Sequence, residues 1–484
     1  MSAPTDPEAV IARLRALREL DAPTHGGHVL SYVYDSGLAA VDEVAARAIR
    51  EVLPVNGLDP TTFRSVGVLE AELVGFVRGL LHGDAEVVGS ATSGGTESCL
   101  LAVKTARELW RQTHPRGRAR LLAPTTVHAA FQKAAAYLDL ELDLVPVGPD
   151  GAVSAADVVA RLGDDVALVV LSAPNYPFAV LDPVAEVAEV TAERGIALHV
   201  DACIGGLVLP FWPGELPPWD FRVPGVTSVS ADLHKFGYAP KGASVLLQRG
   251  RDRQRHQFFA TTRWPGYPVV NPTILGSKSA GPLAAAWAIT ETLGTQGLGE
   301  LAASCARATA ALRETVAGIE GLRVVGEPVG PLFAVASDDS VPAERQVDPH
   351  HWADAVRAHG FVLQLQPALR QADGTVLPST THLTVTPVTE AVLGELGAAL
   401  VAGADAVRGI PHVDASALLA ALPPLDETAL DADTVWALLQ GFGIGGGAEL
   451  PDAQAPLVAV IEALPPALAE RLLVELLGRL VEPA

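Results

Sequence analysis

The sequence predicts an α/β fold, a mostly parallel sheet with helices on both faces, plus a small α+β C-terminal lobe. Between residues 86 and 250, short apolar runs alternate with stretches of helical period, the pattern of repeated strand–helix units. Those runs are rich in Val, Leu and Ala and barely alternate in polarity, as strands covered on both faces do. Of the 484 residues, 49% are hydrophobic and 19% charged. That is enough apolar material for a large core, and the length suits two or three packed lobes.

In chain order, residues 1–70 read as an N-terminal arm with one good helix at 38–52. The large domain, 71–300, carries strands expected at 86–92, 120–124, 141–147, 166–172, 196–200, 226–230 and 243–248. Helices fall between them at 97–112, 128–137 and 183–194. A long helical connection at 285–320 leads into a small domain, 301–405, with strands near 332–336, 362–365 and 382–386. The tail, 406–484, is helical and leucine-rich. Leu473, Leu476, Leu477 and Leu480 follow the spacing of one apolar helix stripe, expected to pack on this chain or on a second copy.

Composition excludes several classes of function. The formal net charge of −22 argues against nucleic acid as the main partner. No stretch approaches the ~20 apolar residues needed to span a bilayer. The opening residues Met1 to Pro7 lack a basic region and an apolar core, so no signal peptide is expected. Three cysteines, Cys99, Cys203 and Cys305, give no disulfide framework. A soluble cytoplasmic protein is expected.

Only five of the 34 basic residues are lysine: Lys104, Lys133, Lys235, Lys241 and Lys278. An amine can lose its proton and attack a carbonyl, whereas a guanidinium effectively cannot. Lys235 follows an expected strand in Ser228-Val229-Ser230-Ala231-Asp232-Leu233-His234-Lys235. Asp201 ends another, in Leu198-His199-Val200-Asp201-Ala202. At the carboxyl edge of an open α/β sheet such residues face the ligand crevice. Thr92-Ser93-Gly94-Gly95-Thr96-Glu97-Ser98 joins a strand to a helix. Its glycines allow close backbone approach, and the helix start suits a phosphate. His128, in Thr126-Val127-His128-Ala129, opens a further helix. Each motif alone also reads as a cap, a tight turn or a solvated side chain. Together a phosphate cradle, an aromatic ring, a carboxylate and a lysine form the set that holds pyridoxal phosphate.

From about residue 30 to 390 the chain resembles the sphingosine-1-phosphate lyases, in the group II pyridoxal-phosphate-dependent decarboxylase family of fold-type I enzymes. The resemblance rests on 92–98, 127–133, 199–203, 221–229, 230–242 and 272–277. The run from Ser230 to Gly242 is its most specific part, and it lacks the proline that the decarboxylases tend to place before the His-Lys pair. The resemblance implies pyridoxal 5'-phosphate as cofactor, with Lys235 as the Schiff-base lysine and Asp201 as partner of the ring nitrogen. It places His128 on the ring and Gly94, Gly95, Thr96 and His234 around the phosphate. Tyr34 and Lys241 match residues near the substrate phosphate.

Two positions and one segment depart from that pattern. Asp59, in Asn56-Gly57-Leu58-Asp59-Pro60, stands where the lyases carry histidine. A carboxylate there would repel a phosphate dianion, which favours a substrate without phosphate. Phe178 also replaces a histidine, and 266–270 departs from a Gly-Gly-Ile-Tyr-like segment.

The resemblance implies a carbon–carbon lyase acting at the α-carbon of an amine, by retro-aldol cleavage of a β-hydroxy amine. Decarboxylation of an amino acid is the alternative, because both reactions use the same electron sink. Transamination stands behind these, since 378–386 lacks the arginine that aminotransferases of this fold use to clamp a carboxylate. A catalytically silent relative is opposed by the presence of Lys235 and Asp201. The partners implied are a small amine or amino-acid substrate and a second copy in a homodimer, with no metal.

Overall fold

The computed structural model describes residues 6–416, 431–441 and 453–483. Residues 1–5 of the expected arm lie outside the described residues, as do 417–430, 442–452 and 484 of the expected helical tail.

The chain opens with α1 (Pro7–Arg18), α2 (Ala39–Glu51) and α3 (Arg64–Leu80). The large domain continues through β1 (Val87–Thr92), α4 (Gly95–Thr113), β2 (Arg120–Pro124), α5 (Ala129–Leu138) and β3 (Glu141–Val145). Next come α6 (Ala155–Ala160), β4 (Val166–Ser172), α7 (Val184–Glu193) and β5 (Ala197–Asp201). After these come β6 (Ser228–Ala231), β7 (Ser244–Arg249) and the short α8 (Arg251–Arg255). The small hairpin of β8 (Phe259–Thr261) and β9 (Val269–Asn271), which the sequence pattern did not predict, precedes the long α9 (Gly281–Ala317).

The main sheet has seven strands in the order β1-β7-β6-β5-β4-β2-β3. Only β7 runs antiparallel to its neighbours; the pairs from β6 across to β3 are all parallel. Every residue of β4 is buried. Val169, Val170 and Leu171 are fully so, each contributing about 1.5–3 kcal/mol over exposure. This explains the unbroken apolar runs: helices cover both faces, so no position faces water. Register then positions the site. Ser172 pairs with Asp201 across β4 and β5, and Asp201 with Ser230 across β5 and β6. Three polar side chains thus lie in one row at the carboxyl end of the strands.

The helical connection is α9, bent at Gly294, whose φ of 58° and ψ of −168° break the helix geometry. That left-handed φ is open to glycine at little cost. Beyond it lie β10 (Leu322–Val324), β11 (Leu332–Ser337), α10 (Pro349–Arg357), β12 (Gln364–Gln366), β13 (Leu369–Arg370), β14 (Val376–Leu377), β15 (Thr380–Thr384) and α11 (Leu393–Val407). An antiparallel sheet β10-β11-β15-β12 packs here. Its core joins Leu312 of α9, Phe333, Trp352, Leu383 and Leu400. Leu30 of the N-terminal segment enters the same core and is pinned by its N–H to Val362 O (2.9 Å) and its carbonyl to Thr384 N (2.7 Å).

The tail carries helices at Ala432–Gly441, Ala455–Ala463 and Pro466–Leu480. In the last, the buried face is Leu468, Ala469 and Leu472. Of the expected stripe, Leu473, Leu477 and Leu480 are exposed on this chain, and only Leu476 packs inward.

Candidate active site

The strand ends surround a cavity of about 490 Å³, lined among others by Tyr34, Gly94, Gly95, Thr96, His128, Tyr176, Asp201, Asp232, His234, Lys235 and Gln364. At one wall β1 turns through Ser93 and Gly94 into α4, whose start has no side-chain cap. Nineteen residues of aligned peptides therefore point their positive end at the cavity, the arrangement that suits an anion. Gly95 is required by close approach: a Cβ there would lie 2.7 Å from Asp232 Oδ2 and 2.8 Å from Cys203 Sγ. Buried Glu97 ties this turn together, accepting from Ser93 N and Ile274 N, each at 2.6 Å.

Asp201 closes β5 and is buried. Its Oδ1 accepts from Cys203 N at 3.1 Å and from Ser230 Oγ at 3.4 Å. Burial pushes its pKa up, but the fields of His128 and Lys235 and the hydrogen bond from Cys203 outweigh that and hold it below the ordinary carboxylate value. Its anion is thus kept inside the protein. His199, two residues earlier in β5 and so on the same face of the strand as Asp201, is driven down to about 4 by burial and stays neutral, its ring held between Ser228 and Ser230.

Lys235 lies in the turn after β6, with Nζ 3.0 Å from Asp232 Oδ2. Burial disfavours its ammonium; Asp232, aided by Cys203, Tyr34 and Asp201, more than offsets this and raises the pKa. The same Asp232 oxygen stands 3.5 Å from His234 Nε2, while Asp232 Oδ1 is buried without a hydrogen-bond partner. His234 Nδ1 accepts from Ala243 N at 3.3 Å. His128 caps α5, its Nδ1 accepting from Ala130 N at 3.1 Å, which leaves Nε2 as the protonated nitrogen.

Tyr34 lines the cavity, and Lys241 Nζ lies 4.5 Å from its ring centroid. Partial burial, then the charge of Lys235, draw the Lys241 ammonium down to about 8. Tyr176 donates its hydroxyl to Gln364 and stacks on His382 at 4.3 Å.

The structure brings Lys235, Asp201, His128, Gly94, Gly95, Thr96, His234 and Tyr34 to one cavity, with Lys241 against Tyr34. It does not bring Asp59 there. Asp59 accepts from Thr61 N (2.8 Å) and the hydroxyls of Thr61 and Thr62 (2.6 and 2.8 Å) in its own turn. The expected repulsion between Asp59 and a substrate phosphate therefore has no geometric basis within one chain. Phe178 is buried in the main core and faces Gly151 rather than the cavity. Sequence reasoning missed Asp232, Tyr176 and Gln364. Asp232 sat inside a quoted motif, and its i, i+3 spacing to Lys235 was the signal that could have found it.

The donor set fits pyridoxal phosphate: a buried amine, a carboxylate held anionic, an uncapped helix start, and a glycine where a Cβ would fill the cradle.

Comparison with known proteins agrees. Residues 65–334 match the profile described as "Pyridoxal-dependent decarboxylase conserved domain". Residues 416–479 match the profile described as "Pyridoxal-dependent enzyme, C-terminal putative HTH domain". That segment holds nine acidic and two basic residues, a balance unsuited to a phosphate backbone. The chain is 38% identical over 288 residues to the sphingosine-1-phosphate lyase of Dictyostelium discoideum, covering 59% of this chain and 54% of that protein. It is 35% identical over 335 residues to sphingosine-1-phosphate lyase 1 of Rattus norvegicus, covering 68% and 58%. The chain thus spans little more than half the length of these curated relatives. Among solved structures, the sphingosine-1-phosphate lyase of Burkholderia pseudomallei superposes with a TM-score of 0.77 at 31% identity, covering 87% of this chain and 94% of that one. The glutamate decarboxylase of Lactobacillus brevis, at 18% identity and TM-score 0.73 over 86% of this chain and 96% of that one, shares the fold. Profile, relatives and structure together show that the chain belongs to the pyridoxal-dependent decarboxylase family and, within it, is sphingosine-1-phosphate-lyase-like.

Proposed function

We propose that this chain is a carbon–carbon lyase that breaks the Cα–Cβ bond of a β-hydroxy amine by retro-aldol cleavage. One observation carries the reading: Lys235, Asp201 and the open start of α4 converge from separate strand ends on one cavity, beside Tyr34 and Tyr176. Pyridoxal phosphate, when bound, supplies an aldehyde that condenses with an amine and a cationic ring that takes up the electron pair released at the α-carbon. Lys235 would hold the cofactor through its amine, and Asp232, 3.0 Å from Nζ, would be the counter-ion of that amine when it is free and protonated. Asp201, kept anionic, would hold a proton on the ring nitrogen. Gly94, Gly95, Thr96 and His234 would take the phosphate, and His128 would cover the ring. Burial raises the Tyr176 hydroxyl above its ordinary value, so it stays protonated and can orient the substrate β-hydroxyl, whose proton must leave as the aldehyde forms. Lys241 and Tyr34 would hold the distal polar or anionic group.

A homodimer belongs to the same proposal. α1 buries no residue, and its Val10, Ile11, Leu14 and Leu17 are all exposed, as are Phe259, Trp264 and Tyr267 around the β8–β9 hairpin. A second copy would cover these apolar surfaces. A cytoplasmic setting is also proposed, supported by three buried cysteines that are not disulfide-bonded.

The test is a product assay with phosphorylated and unphosphorylated β-hydroxy amines of equal chain length and with L-amino acids, scoring aldehyde against CO2. The expected product is an aldehyde. Release of CO2 from an amino acid, with no aldehyde from any β-hydroxy amine, refutes the retro-aldol reading.

A further inference from the structure

We propose that His350, His412 and Glu462 form a binding site for a divalent transition metal of the zinc class, outside the catalytic cavity, that clamps the C-terminal helices to the small domain. The three come from separate segments: His350 from α10, His412 from the chain after α11, and Glu462 from the helix Ala455–Ala463. One ring nitrogen of each histidine and one carboxylate oxygen lie within 4.8 Å of one another.

Outer contacts engage one atom of each of the three side chains, and the remaining atom of His350 has no partner. His350 Nε2 lies 2.9 Å from Gln366 O, so Nε2 carries the hydrogen and Nδ1 the lone pair. His350 is fully buried, and its Nδ1 has no hydrogen-bond partner. A buried acceptor left without a partner is costly in a folded protein, and a metal would satisfy it. His412 Nδ1 lies 2.7 Å from Asp348 Oδ2. Asp348 is itself fixed by the N–H groups of His350 and His351, at 3.0 and 2.8 Å. A carboxylate behind a histidine in this way orients the opposite nitrogen toward a metal. Glu462 Oε1 accepts from Ala368 N and Ser379 Oγ, at 2.7 and 2.8 Å. Oε2 is paired with His412 Nε2 at 2.8 Å, a contact that an entering metal would replace.

Two imidazoles and one carboxylate match zinc better than calcium or magnesium, which take oxygen ligands. Bonds of about 2.0–2.1 Å at the tetrahedral angle put two ligands roughly 3.3 Å apart. His412 and Glu462 must therefore separate by about half an ångström, losing the proton they share as the metal enters. The His412 side chain is 38% exposed, which allows that shift and leaves room for water as a fourth ligand. The site would also brace β12, whose Gln364 lines the catalytic cavity.

The experiment strips the holoenzyme with a chelator, desalts it and titrates it with Zn²⁺ or Co²⁺. Metal content is counted by elemental mass spectrometry, and melting is followed in parallel. The expected result is one zinc per chain retained through desalting and a melting midpoint that rises with zinc. Glu462→Gln and His350→Gln should each weaken binding by at least 10-fold, and Asp348→Asn by about 10-fold. The Co²⁺ spectrum of the unmutated protein should show d–d bands without thiolate charge transfer, which separates this site from Cys99, Asp201 and Cys203 in the cavity. Absence of stoichiometric zinc, a thiolate band, or affinity unchanged in both ligand variants would overturn the proposal. The first of these outcomes means that a proton alone bridges His412 and Glu462.

Discussion

Asp232→Asn tests how the lysine is held. Asp232 Oδ2 and Lys235 Nζ are 3.0 Å apart, and the two side chains are only 1% and 19% exposed. At that distance and an effective dielectric of about 20, the gross attraction is about 5–6 kcal/mol. The measurable loss is smaller, because Lys235 can shed its proton once the carboxylate charge is gone. Bringing an amine of pKa about 10.4 to neutrality costs about 4 kcal/mol at pH 7.5, and about 1.4 kcal/mol less for each pH unit above that. The substitution should therefore destabilise the cofactor-stripped protein by about 3–4 kcal/mol at pH 7.5 and about 2 kcal/mol at pH 9. The sign follows from linkage. In the parent, the raised Lys235 pKa contributes stability that is lost only as pH climbs through that raised value, so the parent is flat across this window. In the variant the folded pKa falls below the unfolded one, and stability rises with pH. Urea unfolding at pH 7.5, 8.25 and 9, followed by fluorescence of the buried Trp219 and Trp352, measures both quantities. A loss below about 1 kcal/mol at pH 7.5, or a difference that does not shrink toward pH 9, refutes the reasoning.

Three further outcomes are expected. Asp201→Asn keeps the shape and removes the buried negative charge, so turnover should fall by about 10²-fold or more while the unfolding midpoint moves little; a near-parental rate would assign the ring-nitrogen role elsewhere. Gly95→Ala forces a methyl to within 3 Å of Asp232 and Cys203 and should weaken pyridoxal phosphate binding about 10-fold or more in an absorbance titration; unchanged affinity would show that the cradle does not use this turn. Asp182, fully enclosed with Oδ1 unpartnered, is pushed up to about 7 by burial. It contributes stability below pH ~4 that is lost as pH rises to 7, roughly 3–5 kcal/mol. Asp182→Asn should flatten that part of the pH–stability curve, and an unaltered slope would show that the carboxyl is ionised in the fold.

The sequence by itself determined the layered α/β architecture and most of the residues that line the cavity, for a local reason. A strand covered on both faces must be apolar throughout, as β4 is, and the residue at its carboxyl end is set by where that run stops. Asp201 and Lys235 were readable because the first ends a buried strand and the second lies in the turn after another, and the glycine turn because it joins a strand to a helix. What only the tertiary structure decided depends on contacts between distant segments. The row Ser172, Asp201 and Ser230 needs inter-strand register. The partnership of Tyr176 with Gln364 spans 188 positions. Asp59, which aligns with a substrate residue by motif, turns to its neighbouring threonines because a short acid side chain is satisfied by hydroxyls and N–H groups two and three residues on. The predicted leucine stripe shows the same division: its helical spacing is local and was legible, but which face of Pro466–Leu480 is buried is set by the helix at Ala432–Gly441 and the rest of that small core. The meeting of His350, His412 and Glu462 likewise has no sequence signature. Their 62- and 50-residue separations close only when the C-terminal helices dock on α10, and docking is decided by the sum of many weak apolar contacts rather than by any local pattern.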